Sequence, residues 1–114
     1  MSATPDSAGL PDEDAKLVTL ARSARSRTRA AEGAAVRDDV GRTYAAATVA
    51  LPSLQLTALQ AAVAAALSSG SDRLEAACVV SDSEALGDAD RAVLGDLGVA
   101  TVLAAAPDGT LRAR

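Results

Sequence analysis

Apolar residues at Leu17, Leu20, Ala21 and Ala24 recur with the spacing of one helical face, predicting a first helix from about Asp12 to Arg29. Pro11 and the acidic run Asp12, Glu13, Asp14 mark its start: proline suits a first turn, and carboxylates favour the positive helix end. "GAAVR" (Gly33 to Arg37) and "RTYAAATVA" (Arg42 to Ala50) then read as two short strands of a hairpin. Between them "DDVG" supplies the reversal, with Gly41 able to take positive φ. The stretch "LPSLQLTALQAAVAAALSSG" is predicted as a second helix, with Ser53 as N-cap and Leu56, Leu59, Val63 and Leu67 in one stripe. Alanines cover most of its other positions, and a helix apolar on several faces is usually buried on several faces. Gly70 ends it.

"LEAACVV" (Leu74 to Val80), apolar almost throughout, predicts a central strand. Ser81 or Asp82 is expected to cap a third helix that runs to Leu97 and stops at Gly98. "VATVLAAA" (Val99 to Ala106) is a further strand, "PDG" a turn, and "TLRAR" a short edge strand. The order α-β-β-α-β-α-β-(β) implies an α/β fold: a mixed sheet of about five strands, helices on its faces and an antiparallel edge hairpin.

At 114 residues the chain is long enough for one domain with a real core. Residues 1–11 read as a disordered leader and 12–114 as the domain. The apolar residues are mainly Ala, Val and Leu; Tyr44 is the only aromatic, and there is no Ile. Such a core is built from small surfaces that approach closely. Arginine outnumbers the single lysine, Lys16, and the Ala/Arg/Asp/Gly bias suggests a GC-rich bacterial source. The net charge of −4 argues against a general nucleic-acid binder, which needs a surplus of cations. A lone cysteine, Cys78, makes no internal disulfide, and the polar acidic N-terminus lacks a basic signal-peptide region. No apolar run is long enough to span a bilayer, so a cytoplasmic protein without membrane contact is expected.

The one basic concentration is "ARSARSRTR", where Arg22, Arg25 and Arg29 fall along one helical stripe. It reads either as a contact for an acidic partner or, preferred, as a solvated face whose cations suit a helix C-terminus. Cys78 in mid-strand reads as a small hydrophobe, with no cation nearby to lower its pKa. The group Asp82, Glu84, Asp88 and Asp90 lacks the spacing of a calcium loop and reads as a solvated helix start. No His exists anywhere, so Ser/His/Asp and Cys/His devices are excluded, and Lys16 sits in an acidic first turn.

The block "EGAAVRDDVGRTYAAATVA", leading into the second helix, resembles the small homotetrameric cytidine deaminases over about Leu10 to Leu97. The resemblance implies their three-layer α-β-α fold, a zinc-bound water as nucleophile and a glutamate proton shuttle. Carried over by position, a zinc ligand falls at Thr57 and the glutamate at Leu59, with Ala58 matching between them. The Pro-Cys-x-x-Cys pair falls near Gly87 and Asp90, the ribose contacts at Thr48 and Ala50, and a pocket phenylalanine near Ala30. None of these positions carries the family's chemistry. A catalytic zinc wants three ligands from Cys, His or carboxylate, and these degenerate pocket positions do not supply them.

The expectation is therefore a catalytically inactive cytidine deaminase-like protein, with no cofactor, retained as an interaction or regulatory protein. The bland reading of Thr57 is a hydroxyl bonded to a carbonyl in the first turn. Family members assemble around the second helix, and its alanine-rich sequence suits close approach, so a homo-oligomer (dimer or tetramer) is expected, with a protein partner as a further prospect. The alternative is a nucleoside- or nucleotide-binding pseudoenzyme. A third reading, a working cytidine deaminase, rests on the resemblance alone.

Overall fold

The computed structural model describes residues 9–113, so the first eight residues of the expected leader lie outside the described residues. The elements, in chain order, are α1 (Asp12–Thr28), β1 (Gly33–Asp38), β2 (Thr43–Ala47), β3 (Val49–Leu51), β4 (Leu54–Leu56), α2 (Ala58–Ser68), β5 (Leu74–Val80), α3 (Asp88–Leu97), β6 (Thr101–Ala105) and β7 (Leu111–Ala113). Five strands form one mixed sheet in the order β2-β1-β5-β6-β7, with β5 at its centre. Only β5 and β6, joined through α3, run parallel; β1 pairs antiparallel with both β2 and β5, and β7 pairs antiparallel with β6. The expected mixed sheet with an antiparallel edge hairpin is what forms.

The strand period of two assigns alternate residues to opposite faces. Ala35 of β1 and Ala76, Cys78 and Val80 of β5 pack with Leu17, Val18 and Ala21 of α1. Ala34 and Val36, with Ala77 and Val79, pack instead against Leu59, Ala62, Val63 and Ala66 of α2 and Leu94 of α3. Three layers result: α1, the sheet, then α2 with α3. Leu10, just before α1, is buried with the α1 core.

Gly33 sets how closely α1 lies on β1. A methyl group there would land on the Ala21 carbonyl oxygen and lie 2.8 Å from the Arg25 Cβ, so only hydrogen fits. At the other end of β1, the Arg37 side chain, only 9% exposed, meets Asp14 of α1 at 3.0 Å and Glu75 of β5 at 2.6 Å. The acidic first turn of α1 thus supplies a counter-charge for a buried guanidinium as well as complementing the helix dipole.

Asp38, fully buried at the end of β1, organises the β1–β2 turn. Its carboxylate accepts from the amides of Val40 and Arg42, at 3.1 and 2.8 Å, and from the Arg42 guanidinium at 3.1 Å. The Ser71 hydroxyl donates to it at 2.6 Å and lies 3.1 Å from the Tyr44 hydroxyl, joining the turn to the α2–β5 connection. The Ser71 bond chiefly holds the Asp38 carboxyl below the usual carboxylate range, helped by the Arg42 and Val40 amides and the Arg42 charge, against the opposing effect of burial.

Three expected boundaries are corrected. The strand expected from Arg42 to Ala50 ends at Ala47, and Val49–Leu51 joins a separate two-stranded sheet. Ser53 is not a helix cap: Pro52 and Ser53 form the turn of a second hairpin, in which Leu51 pairs with Leu54 and Val49 with Leu56. The helix begins only after Thr57. The third helix is capped neither by Ser81 nor by Asp82; it starts at Asp88 after Gly87, and residues 81–87 form a loop. Gly98 takes φ 60° at its end, as the stop signal requires.

Replacing Gly33 with alanine should force α1 off β1 against backbone atoms. We expect a loss of about 3 kcal/mol or more in urea unfolding; a variant as stable as wild type would show that this approach is not obligatory.

Candidate functional site

Thr57 opens α2 with a complete capping box. Its hydroxyl accepts from the Gln60 amide at 3.0 Å, while the Gln60 side chain accepts from the Thr57 amide at 2.9 Å. This Thr-x-x-Gln signature is readable in "TALQ" and would have placed the helix start. The same hydroxyl donates to the Asp90 carboxylate at 2.6 Å. The expected bond from Thr57 to a first-turn carbonyl is therefore replaced by a bond between helices.

Asp90 lies in the first turn of α3, where a carboxylate complements the helix dipole, and is only 3% exposed. The fold thus brings together two of the positions singled out in the sequence, Thr57 and Asp90. Gly87, three residues earlier, is exposed and serves as the N-cap of α3. Leu59 turns away into the apolar core and is fully buried.

In front of Thr57 opens a cleft of about 530 Å³, walled by the β3–β4 hairpin, the first turn of α2 and the loop after β5. Thr48, Ala50 and Thr57 line it; Leu59, Gly87 and Asp90 are not among its lining residues. Glu32, which the sequence reading passed over, also faces the cleft. Its backbone is held from both sides: its amide donates to the Thr48 hydroxyl at 3.0 Å, and its carbonyl accepts from the Thr48 amide at 3.2 Å. Its carboxylate takes a long bond, 3.5 Å, from the Ala58 amide at the start of α2. Burial first, and the Asp90 charge second, push the Glu32 carboxyl above the usual range, against the opposing effect of the Ala58 amide. The sequence signal was the charge itself, standing immediately before the apolar run Gly33 to Val36.

Of the arginines of the basic stripe, Arg25 reaches the rim of the cleft, where Ala31 and Asp82 line it. Arg22 donates to the Pro107 carbonyl at 3.0 Å, and Arg25 to the Ala31 carbonyl at 3.1 Å and to Asp82 at 3.4 Å. Arg29 is the left-handed C-cap of α1, with φ 56°, and so leaves the helical stripe on which its spacing placed it. Cys78 lies on the opposite face of the sheet from α2, its thiol pushed up to about 12 by burial.

The residues at the expected ligand positions do not fit a catalytic zinc. Thr57 offers a neutral hydroxyl committed to two hydrogen bonds, Gly87 offers no side chain, and Asp90 offers one carboxylate. Among the described residues no three His, Cys, Asp or Glu side chains come close enough to share a metal.

Comparison with known proteins finds a family model described as cytidine deaminase-like, matching residues 10–109. Among solved structures, cytidine deaminase from Burkholderia pseudomallei is similar, with 26% identity, 85% of this chain and 87% of that one covered, and a TM-score of 0.74. A mutant cytidine deaminase from Mycobacterium tuberculosis shares 31% identity over 78% of this chain and 81% of its own, with a TM-score of 0.65. Cytidine deaminase from Mycobacterium leprae, at 24% identity, 82% and 87% coverage and a TM-score of 0.64, shares the fold. No curated protein matches the sequence.

Thr57→Val should remove the helix cap and the donor to Asp90 together, lowering stability by about 2–3 kcal/mol, whereas Thr57→Ser should cost less than about 1 kcal/mol. Chemical denaturation of the two variants separates these outcomes. For Glu32 the folded carboxyl titrates above the unfolded one, so ionisation costs stability as pH rises past the unfolded value. Glu32→Gln should therefore raise the melting temperature at pH 7, and the gain should vanish below about pH 4. A gain independent of pH would contradict that origin.

Proposed function

The chain belongs to the cytidine deaminase-like family, and we propose that it is a member without hydrolytic chemistry, which acts by binding as an interaction or regulatory protein. One observation carries the reading: at the head of α2, Thr57 and Asp90 satisfy each other at 2.6 Å where the resemblance expects zinc ligands. Leu59, at the expected position of the proton-shuttling glutamate, is core. Metal-assisted attack on an aminopyrimidine needs an activated water and a proton shuttle beside it. Glu32 brings a carboxylate into the cleft, but from the start of β1 and with no cysteine or histidine to hold a metal next to it. The cleft is a cavity lined by both apolar and polar groups, which suits binding.

We read the protein further as a homo-oligomer, assembled over α2 and the β3–β4 hairpin. The α2 helix carries no charged residue, yet only Ala58, Leu59, Ala62, Val63 and Ala66 are buried. Leu67 on its outer side is 43% exposed, and Leu51 and Leu54 at the hairpin tip are 56% and 48% exposed. Apolar surface of this kind favours a partner, and a second copy offers the same surface in return. No helix among the described residues is long and apolar enough to cross a membrane.

Incubating the purified chain with cytidine and deoxycytidine in added zinc should give no uridine or deoxyuridine and no stoichiometric metal; turnover would sink the non-hydrolytic reading. Sedimentation velocity should show a dimer or larger particle that Leu67→Glu dissociates at least about tenfold more readily. A wild-type monomer would remove the oligomer.

A further inference from the structure

We propose that the cleft before α2 is a binding site for a small organic cation, an amidinium, guanidinium or ammonium group on an apolar body, with Glu32 as its counter-charge. The inference rests on the reading of this cleft as a binding site without hydrolytic chemistry.

Shape and lining come first. The cavity, about 530 Å³, is of a size to enclose a ring-sized molecule, and Val49, Ala50 and Leu56 supply apolar wall beside the polar groups. The polar groups fall into two sets. The hydroxyls of Thr48 and Thr57 are already engaged within the protein, and so is the Gln60 carbonyl. Among the described residues the Glu32 carboxylate has only the 3.5 Å contact from the Ala58 amide, and none of them donates to its second oxygen.

Charge then selects the sign of the ligand. The ion pairs among the described residues join Arg25 to Asp82, Arg37 to Asp14 and Glu75, and Arg42 to Asp38. None reaches Glu32, and none reaches Asp90, whose charge acts on Glu32 from behind Thr57. Two guanidinium groups stand at the rim, Arg25 held by the Ala31 carbonyl and Asp82, and Arg112 by the Ser81 and Ser83 carbonyls. Glu32 and Asp90 thus share a partly desolvated place with no cation in ion-pair contact among the described residues, an arrangement that a cationic ligand would relieve. An anion is disfavoured: the Thr57, Ala58 and Gln60 amides at the α2 N-terminus already donate to the Gln60 side chain, Glu32 and Thr57, and the Glu32 charge repels it. A bare metal ion is disfavoured too, because among the described residues no three carboxylates, thiolates or imidazoles come close enough to share it.

Benzamidine and benzamide provide the test, since they match in shape and differ in charge. In amide-resolved NMR titrations of the full chain, benzamidine should shift Glu32, Thr48, Ala58 and Ser83 saturably and bind at least about tenfold tighter than benzamide. Glu32→Gln, with its spectrum confirming the fold, should bring the two ligands within about twofold of each other. Asp82→Asn, which removes an exposed carboxylate at the rim, should leave the preference intact. Equal binding of the two probes, no shift with either, a preference that survives Glu32→Gln, or one lost with Asp82→Asn would each overturn the proposal. Any of these together with absent uridine formation leaves the non-hydrolytic reading standing, whereas uridine formation would break that reading whatever benzamidine does.

Discussion

The closeness of α1 to β1 is the constraint on which the remaining layers depend. Gly33 faces the Ala21 carbonyl with room only for hydrogen. Ala21, Ala24, Ala35 and Ala76 continue the same small-residue surface on that side of the sheet. With few bulky side chains to fill space, dispersion contacts are kept only if backbones approach closely. That approach also holds the end of β1 in place, and Glu32 is the residue just before it. The geometry of the cleft is therefore inherited from packing on the other face of the sheet.

At the opposite end of β1 the means of attachment change. Arg37 and Asp38 are buried charges, and each is bound to more than one element: Arg37 to α1 and β5, Asp38 to its own turn and to the α2–β5 connection. A buried ion pair is weak as a source of net stability, but losing one partner leaves a charge stranded. β1 is thus sealed at one end by shape and at the other by ion pairs and hydrogen bonds. These two mechanisms respond to different perturbations, volume in one case and protonation in the other.

Much of this architecture was legible in the chain. The acidic start and apolar face of α1, the β1–β2 hairpin around "DDVG", and the central apolar strand Leu74 to Val80 all emerge from local pattern. The β3–β4 hairpin did not. Leu54 and Leu56 fit a period of two, but Leu56, Leu59 and Val63 fit a helix equally well, and Pro52–Ser53 is compatible with either a helix start or a turn. The capping box at Thr57 decides between them, because it puts the helix start four residues beyond Ser53. Resemblance located Thr57 and Asp90, which do meet, because the family framework fixes where α2 and α3 begin. Glu32 escaped because a single charge beside a strand carries no pattern; only the tertiary fold turns it toward α2. In this member of the family the framework is kept. The helix openings still converge, but what meets there is a hydroxyl and a carboxylate that satisfy each other.

The scarcity of aromatic residues has a practical side. Tyr44 is the only one in the chain, and there is no tryptophan to drain its emission. It packs against the α2 side of the core while its hydroxyl rests on Ser71, which in turn holds the buried Asp38. One native fluorophore is thereby wired to β1, to β2 and to the α2–β5 connection at once. Its intensity reads out the coherence of these parts without a label, a built-in gauge that most proteins, with several overlapping emitters, do not provide.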